Sequence, residues 1–263
     1  MKRKFVTMAF LVATLSMAAA QKTISVSVEN SSKTDRKAAP VVIQLAQCGI
    51  DVKSALVMNN GTEIPSQLDD LDGDGKYDEL CFLTDIGKAS KQAFNVTLED
   101  NGTPRSYEPQ VYAEMLMTNK KIKSNNKQDL YISSLTVDNG TNPYWMLHHH
   151  GPAFENDMVA YRIYFDHRQT VDTYGKYRKG LEIKQTQFYP SKEQKAAGFG
   201  DDVLWVGETF GLGALRGWNG SAPQMLKDVD HRTLRIVSRG PLRTIVEVVD
   251  EGWNTMNPGK EKI

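Results

Sequence analysis

Apolar and polar residues alternate with a period of two along much of the chain, the repeat of a strand with one buried face. Thr23-Ile24-Ser25-Val26-Ser27-Val28 alternates without a break, and Val41-Val42-Ile43-Gln44-Leu45 reads as a second strand. Ala55-Leu56-Val57-Met58 and Thr62-Glu63-Ile64-Pro65-Ser66-Gln67-Leu68 flank Asn59-Asn60-Gly61. That spacing predicts a hairpin, because Asn-Gly tolerates the positive φ that a type I′ turn needs at both central positions. Leu80-Cys81-Phe82-Leu83 and Ala93-Phe94-Asn95-Val96-Thr97-Leu98 complete an N-terminal meander. Asn-Gly returns at Asn101-Gly102, Asn139-Gly140 and Asn219-Gly220, which argues for antiparallel sheets throughout.

Further on, the pattern predicts strands over residues 158–166, 180–188, 233–238 and 242–250, with a short helical or irregular insertion at 192–197. The stretch 100–110, with Gly102, Pro104 and Pro109, reads as a linker. The expected fold is all-β: an N-terminal antiparallel β-sandwich-like domain at 21–105 and a second β region at 106–263.

The first residues break the pattern. Lys2, Arg3 and Lys4 precede an apolar run from Phe5 to Met17, which ends at Ala18-Ala19-Ala20. This is the layout of a cleavable signal peptide at 1–20, so the expected location is periplasmic or extracellular. The run is too short for a membrane span, no later segment is apolar enough for one, and no Cys stands at the cleavage point to carry a lipid. Residues 253–263 are polar and without strand character, and residues 242–250 need a partner strand, so the chain is expected to be a C-terminally incomplete piece.

Lys+Arg and Asp+Glu both total 32. The basic excess of a nucleic-acid binder is missing. Export permits a disulfide between Cys48 and Cys81; the other reading is two buried thiols on neighbouring strands. Neither Cys has a nearby His or basic residue to activate it, and no Gly-x-Ser-x-Gly elbow is present.

The sharpest local motif is Asp70-Leu71-Asp72-Gly73-Asp74-Gly75-Lys76-Tyr77-Asp78-Glu79. Asp70, Asp72, Asp74 and Asp78 could supply the hard oxygens that Ca²⁺ prefers, with Gly75 allowing the sharp turn. Cys81 stands where an EF-hand has its bidentate Glu, and the flanks are β, so this is not an EF-hand. A structural calcium loop and an acidic hairpin turn both fit.

The second constellation is Tyr144-Trp145-Met146-Leu147-His148-His149-His150-Gly151-Pro152-Ala153-Phe154-Glu155. On a strand only His148 and His150 share a face, and His167 and His231 are the only other histidines, so a general acid or base is easier to build than a zinc site. Tyr144 and Trp145 could stack on a sugar ring beside them. Along 158–166, alternation puts Ala160, Arg162, Tyr164 and Asp166 on one side, a set suited to a polar groove, with Asp172, Tyr174 and Lys176 extending its wall. The Gly-rich stretch 200–213 lacks the Gly-Lys-Ser/Thr of a phosphate loop. Trp218 and His231 are further substrate-binding candidates.

His149-His150-Gly151-Pro152-Ala153-Phe154-Glu155-Asn156, Ala160-Tyr161-Arg162-Ile163-Tyr164-Phe165-Asp166, Asp172-Thr173-Tyr174-Gly175-Lys176 and Arg239-Gly240-Pro241-Leu242-Arg243 together resemble an uncharacterised family of secreted Bacteroidota proteins. The resemblance implies that the second region is part of a galactose-mutarotase-like β-sandwich, and that the protein serves breakdown of uronic-acid-containing, pectin-like polysaccharide. It transfers no role to any residue. Chemistry supplies the candidates. In a lyase, His148 or His150 is the base, Arg162 the carboxylate clamp, and Tyr164 or Glu155 the acid. A glycosidase would pair Glu155 with Asp166 or Glu208. Tyr144, Trp145, Asp166, Lys176, Glu208, Trp218 and His231 are expected to bind the polysaccharide or oligosaccharide. The alternative is a non-catalytic carbohydrate-binding protein.

Overall fold

A computed structural model of the chain describes residues 20–118 and 130–253. The predicted signal peptide lies outside these residues except for Ala20, as does the polar tail beyond Trp253.

The N-terminal half forms β1 (Gln21–Asn30), β2 (Arg36–Gln44), β3 (Ser54–Asn59), β4 (Thr62–Ile64), β5 (Ser66–Asp69), β6 (Glu79–Ile86) and β7 (Ser90–Glu99). They make two antiparallel sheets, β1-β7-β3-β4 and β2-β6-β5. Val57, Phe94, Val96 and Leu98 of the first meet Leu80 and Phe82 of the second, with Leu45 and Val52 from the connection sealing one end. The Phe82 and Phe94 rings stand 4.8 Å apart. Asn60 and Gly61 have the positive φ of the predicted hairpin turn. The single strand expected at 62–68 is in fact two strands in different sheets. Pro65 has no N–H to continue a ladder, so the chain changes sheet there. Cys48 and Cys81 are both buried free thiols.

The C-terminal half contributes β8 (Val111–Glu114), β9 (Leu116–Met117), β10 (Leu130–Tyr131), β11 (Ser134–Asp138), β12 (Ala153–Asn156), β13 (Val159–Ile163), β14 (Val171–Gly175), β15 (Asp201–Asp202), β16 (Gly217–Trp218), β17 (Pro223–Gln224), β18 (His231–Arg239) and β19 (Thr244–Glu251). A five-stranded sheet, β15-β14-β13-β12-β8, and a three-stranded one, β11-β18-β19, contribute Ala113, Val137, Leu234 and Ile236 to one apolar cluster, which Met115, Leu147 and Phe165 complete. The molecule is an all-β protein with sandwich architecture.

Residues 180–188 are not the expected strand. They form α1 (Ile183–Thr186) and its flanks, lying over the five-stranded sheet. Glu182, Ile183 and Thr186 are all buried, a helical rather than a strand spacing. The start of the helix is fixed by Glu155, whose carboxylate accepts from the backbone N–H of Glu182 at 2.9 Å and of Ile183 at 2.8 Å. These amides have no partner inside the helix, so the buried anion and the helix start satisfy each other. The insertion expected at 192–197 is α2 (Lys192–Ala196), opened by a capping box between Ser191 and Gln194.

The two halves are joined by Arg239-Gly240-Pro241-Leu242-Arg243. Gln67 Oε1 accepts from the backbone N–H of Leu242 and Arg243, and Arg243 reaches Asp69 and Glu79 at 2.7 and 2.5 Å. A Cβ on Gly240 would lie 2.0 Å from the Gln67 side-chain amide, so a larger residue there would displace Gln67 from its bonds to Leu242 and Arg243.

Candidate functional site

One face of the five-stranded sheet is built from charges. Register places Glu114 beside Ala153, Ala153 beside Arg162, Arg162 beside Asp172, and Tyr174 beside Asp202. Arg162 is 2 % exposed. It donates Nε and Nη2 to Asp172 Oδ2 at 2.9 and 2.6 Å, and Nη2 to Asp202 at 2.9 Å and to the Tyr164 hydroxyl at 2.8 Å. Its Nη1 is against the Tyr189 hydroxyl, and its guanidinium lies over the Phe188 ring at 4.3 Å. Lys176 is equally committed: Nζ donates to Glu155 at 2.5 Å and to the carbonyls of Asn156 and Gly180 at 2.6 and 2.7 Å. Burial pushes the Glu155 carboxyl up, against the pull of Lys176 and the two helix amides. Arg162, Glu155, Lys176 and Asp172 thus hold one another and the helix in place. The polar groove expected along this face is filled.

The neighbouring aromatic cluster reaches the surface. The His150 ring stacks on Tyr144 at 3.7 Å, and Tyr164 is parallel to both at 5.9 and 6.0 Å. Trp145 stands edge-on to Tyr144 and His150 at 4.7 and 5.1 Å and is 66 % exposed. Arg168, which the sequence reading missed, lies 4.9 Å over both tyrosine rings and holds buried Asp166 through Nε at 2.8 Å and Nη2 at 2.5 Å.

The His turn is not a strand. His148–His150 is a tight 3-10-like turn kinked at His149, where His149 and His150 take φ of +41 and +68, so the expected convergence of His148 and His150 on one strand face does not occur. His149 points inward instead, its Nε2 3.0 Å from Glu114, whose other oxygen accepts from the Tyr112 hydroxyl at 2.6 Å. Gly151 makes the turn possible: a Cβ there would lie 1.8 Å from the Ile163 carbonyl. His150 is half-buried, with Nδ1 2.9 Å from the Tyr144 carbonyl. A carbonyl only accepts, so Nδ1 carries the proton and Nε2 keeps the lone pair of the neutral ring. Burial lowers the His150 pKa, and Arg162, His149 and Arg168 add to that lowering while the Tyr144 carbonyl opposes it. The ring is therefore neutral at neutral pH and offers Nε2 as a base.

The other candidates are dispersed. Glu208 is exposed and only loosely placed, 3.5 Å from Arg168 and 3.8 Å from His167. Exposed His231 pairs with Asp138 at 3.0 Å on the opposite sheet, and Trp218 lies on the short β16–β17 hairpin. His148 is half-exposed, its ring edge-on to His149. In the acidic loop, Asp70, Asp72 and Asp78 can bring one oxygen each within 4.8 Å of one another, a group that could hold a cation; Asp74 stands outside it. Asp70 accepts from the backbone N–H of Gly73 and Gly75, and Asp78 from that of Leu71. Arg235 of the other half donates to the Leu71 carbonyl at 3.1 Å.

Arg168, Tyr189, Asp202 and the Tyr112–Glu114–His149 chain were not singled out from the sequence. Asp166-x-Arg168 was the readable signal for the first. The others come together only through strand register and the helix over the sheet.

These features define a class: a two-part β-sandwich protein whose second part buries a charged sheet face under a short helix and exposes an aromatic–imidazole cluster beside it. The model of the family described as Domain of unknown function (DUF4861) matches residues 28–262, and the chain belongs to that family. No curated protein and no solved structure matches the chain.

Proposed function

We propose that this is an exported carbohydrate-active protein that takes uronic-acid-containing, pectin-like chains onto Tyr144, Trp145 and His150 and acts on them there. The observation that carries the reading is half-exposed His150, its Nδ1 against the Tyr144 carbonyl, stacked on one aromatic ring and flanked by an exposed second one. Aromatic faces of this kind suit a sugar ring, and a base beside them suits removal of the C5 proton of a uronate. In a β-elimination, Nε2 of His150 takes that proton, the electrons form the C4–C5 double bond, and the glycosidic oxygen departs from C4 and is protonated. Tyr144, whose ring is stacked on His150, is the phenol nearest the base and protonates that oxygen; Tyr164, the acid expected from the sequence, is buried and its hydroxyl donates to Asp172 at 3.2 Å. Arg168, over the same two rings, replaces Arg162 as the cation nearest the uronate carboxylate. The test is to incubate the protein with pectic oligosaccharides and follow unsaturated-uronate absorbance and reducing ends. Turnover that His150→Ala abolishes supports the reading; no change in either signal removes the catalytic part.

Non-catalytic glycan binding is the second reading. It is favoured by the internal pairing of Glu155 with Lys176 and of Asp166 with Arg168, which occupies the two carboxylates that a glycosidase would use. It predicts binding that survives His150→Ala. In either reading Asp70, Asp72 and Asp78 hold a structural Ca²⁺ where the acidic loop meets Arg235; calcium then raises the melting temperature, and Asp70→Asn removes that rise.

A further inference from the structure

A cavity of about 370 Å³ opens between the loop after β11, the turn after β13 and the loop before β18. Thr141, Asn142, His167, Lys227 and Asp228 line it together with Asp166 and Arg232. The volume falls in the range of small-molecule sites, about 300–1,000 Å³, but the lining is far more polar than the usual drug-like pocket. Its two most buried members are already neutralised: Asp166 by Arg168, and Arg232 by Asp250 at 2.6 Å. Amide, hydroxyl, imidazole and ammonium groups and the Asp228 carboxylate remain to meet a ligand. A mixed set of donors and acceptors with apolar surface between them suits a sugar, which presents hydroxyls at its rim and C–H groups on its faces.

The cavity also adjoins the aromatic cluster. Pro143 lines it and opens the turn Pro143–Trp145, and the Asn142 side chain accepts from the Tyr144 N–H at 3.0 Å. On the other wall, Asp166 holds Arg168, whose guanidinium lies over Tyr144. The cavity thus borders the turn that carries Tyr144 and Trp145 on one wall and the Asp166–Arg168 pair on the other.

From this geometry we infer that the cavity is a second sugar subsite, binding the adjoining unit of an oligosaccharide through hydroxyl hydrogen bonds, with Lys227 meeting that unit's carboxylate. The inference rests on the proposed glycan-binding role and extends it from one ring to at least two.

Calorimetric titration with galacturonic acid monomer and trimer tests it, using the wild type, the double variant Thr141→Ala/Lys227→Ala and Trp145→Ala. Thr141 and Lys227 are exposed, and circular dichroism checks that each variant is folded. The trimer is expected to bind at least about tenfold tighter than the monomer, a gain of about 1.4 kcal/mol. The double variant is expected to lose that gain while its monomer affinity stays the same, whereas Trp145→Ala weakens both ligands. A trimer that binds no tighter than the monomer, or a gain that survives the double variant, overturns the second subsite; the proposed function then still stands on the effect of Trp145→Ala. Absence of binding of either ligand to the wild type overturns both.

Discussion

The two halves of this protein solve the same packing problem in opposite ways. The N-terminal sandwich closes on Leu80, Phe82, Phe94, Val96 and Leu98, and its charges stay at the surface or at the joint with the other half. The five-stranded sheet of the C-terminal half buries an apolar face on one side and, on the other, Glu114, Glu155, Arg162, Asp172 and Lys176. An apolar core is tolerant, because burial is non-directional and volume-conserving exchanges are accepted. A buried ionic face is not, because each charge depends on a particular partner for the solvation it has lost.

Breaking one partner is the strongest test of that contrast. Arg162→Leu leaves Asp172 and Asp202 without their cation and should cost about 3–5 kcal/mol in chemical denaturation. Adding Asp172→Leu should recover a large part of the loss, since Asp202 is partly exposed and can hydrate. If the double variant is as unstable as the single one, the charges are not mutually dependent. Leu80→Ala in the apolar half should cost about 2–5 kcal/mol, through lost burial and the cavity left behind. No second substitution among its neighbours should rescue it as specifically.

The smallest effect is a pH dependence. Burial holds the His150 pKa below its unfolded value, so folding disfavours its protonation. The stability this group contributes is complete above its unfolded pKa, about 6.5, and is lost as the pH falls below that towards the folded pKa. Between about pH 7 and pH 5 the wild type should therefore lose more stability than His150→Gln in parallel thermal melts. Equal losses would show that the ring is not desolvated as described.

The same contrast explains what could be read from the sequence. In the N-terminal half the alternation of Thr23 to Val28 and of Ala93 to Leu98, and the Asn60-Gly61 turn, are local signals that appear as β1, β7 and the β3–β4 hairpin. In the C-terminal half β8, β12 and β14 were not predicted as strands. Their buried faces carry Glu114, Glu155 and Asp172, which hide the apolar period. Residues 180–188 alternate well enough to resemble a strand, but the Glu155 carboxylate, distant in sequence, holds their first amides, and Ile183 and Phe188 pack on the sheet. The region from Tyr144 to Arg162 was recognisable as chemically dense. Which of its members are sealed and which are open depends on the left-handed backbone at His149 and His150, and no pattern of side chains encodes that.

In the proposed function, His150 presents a neutral Nε2 lone pair beside the exposed aromatic surface that takes the sugar. Nitrogen-15 NMR of the histidine rings, recorded at about pH 7 with and without galacturonic acid trimer, tests it most directly. The predicted spectrum has His150 protonated at Nδ1 and bare at Nε2, with the Nε2 resonance moving as trimer is added. A ring protonated at Nε2, or an Nε2 signal that stays fixed at saturating trimer, would contradict it.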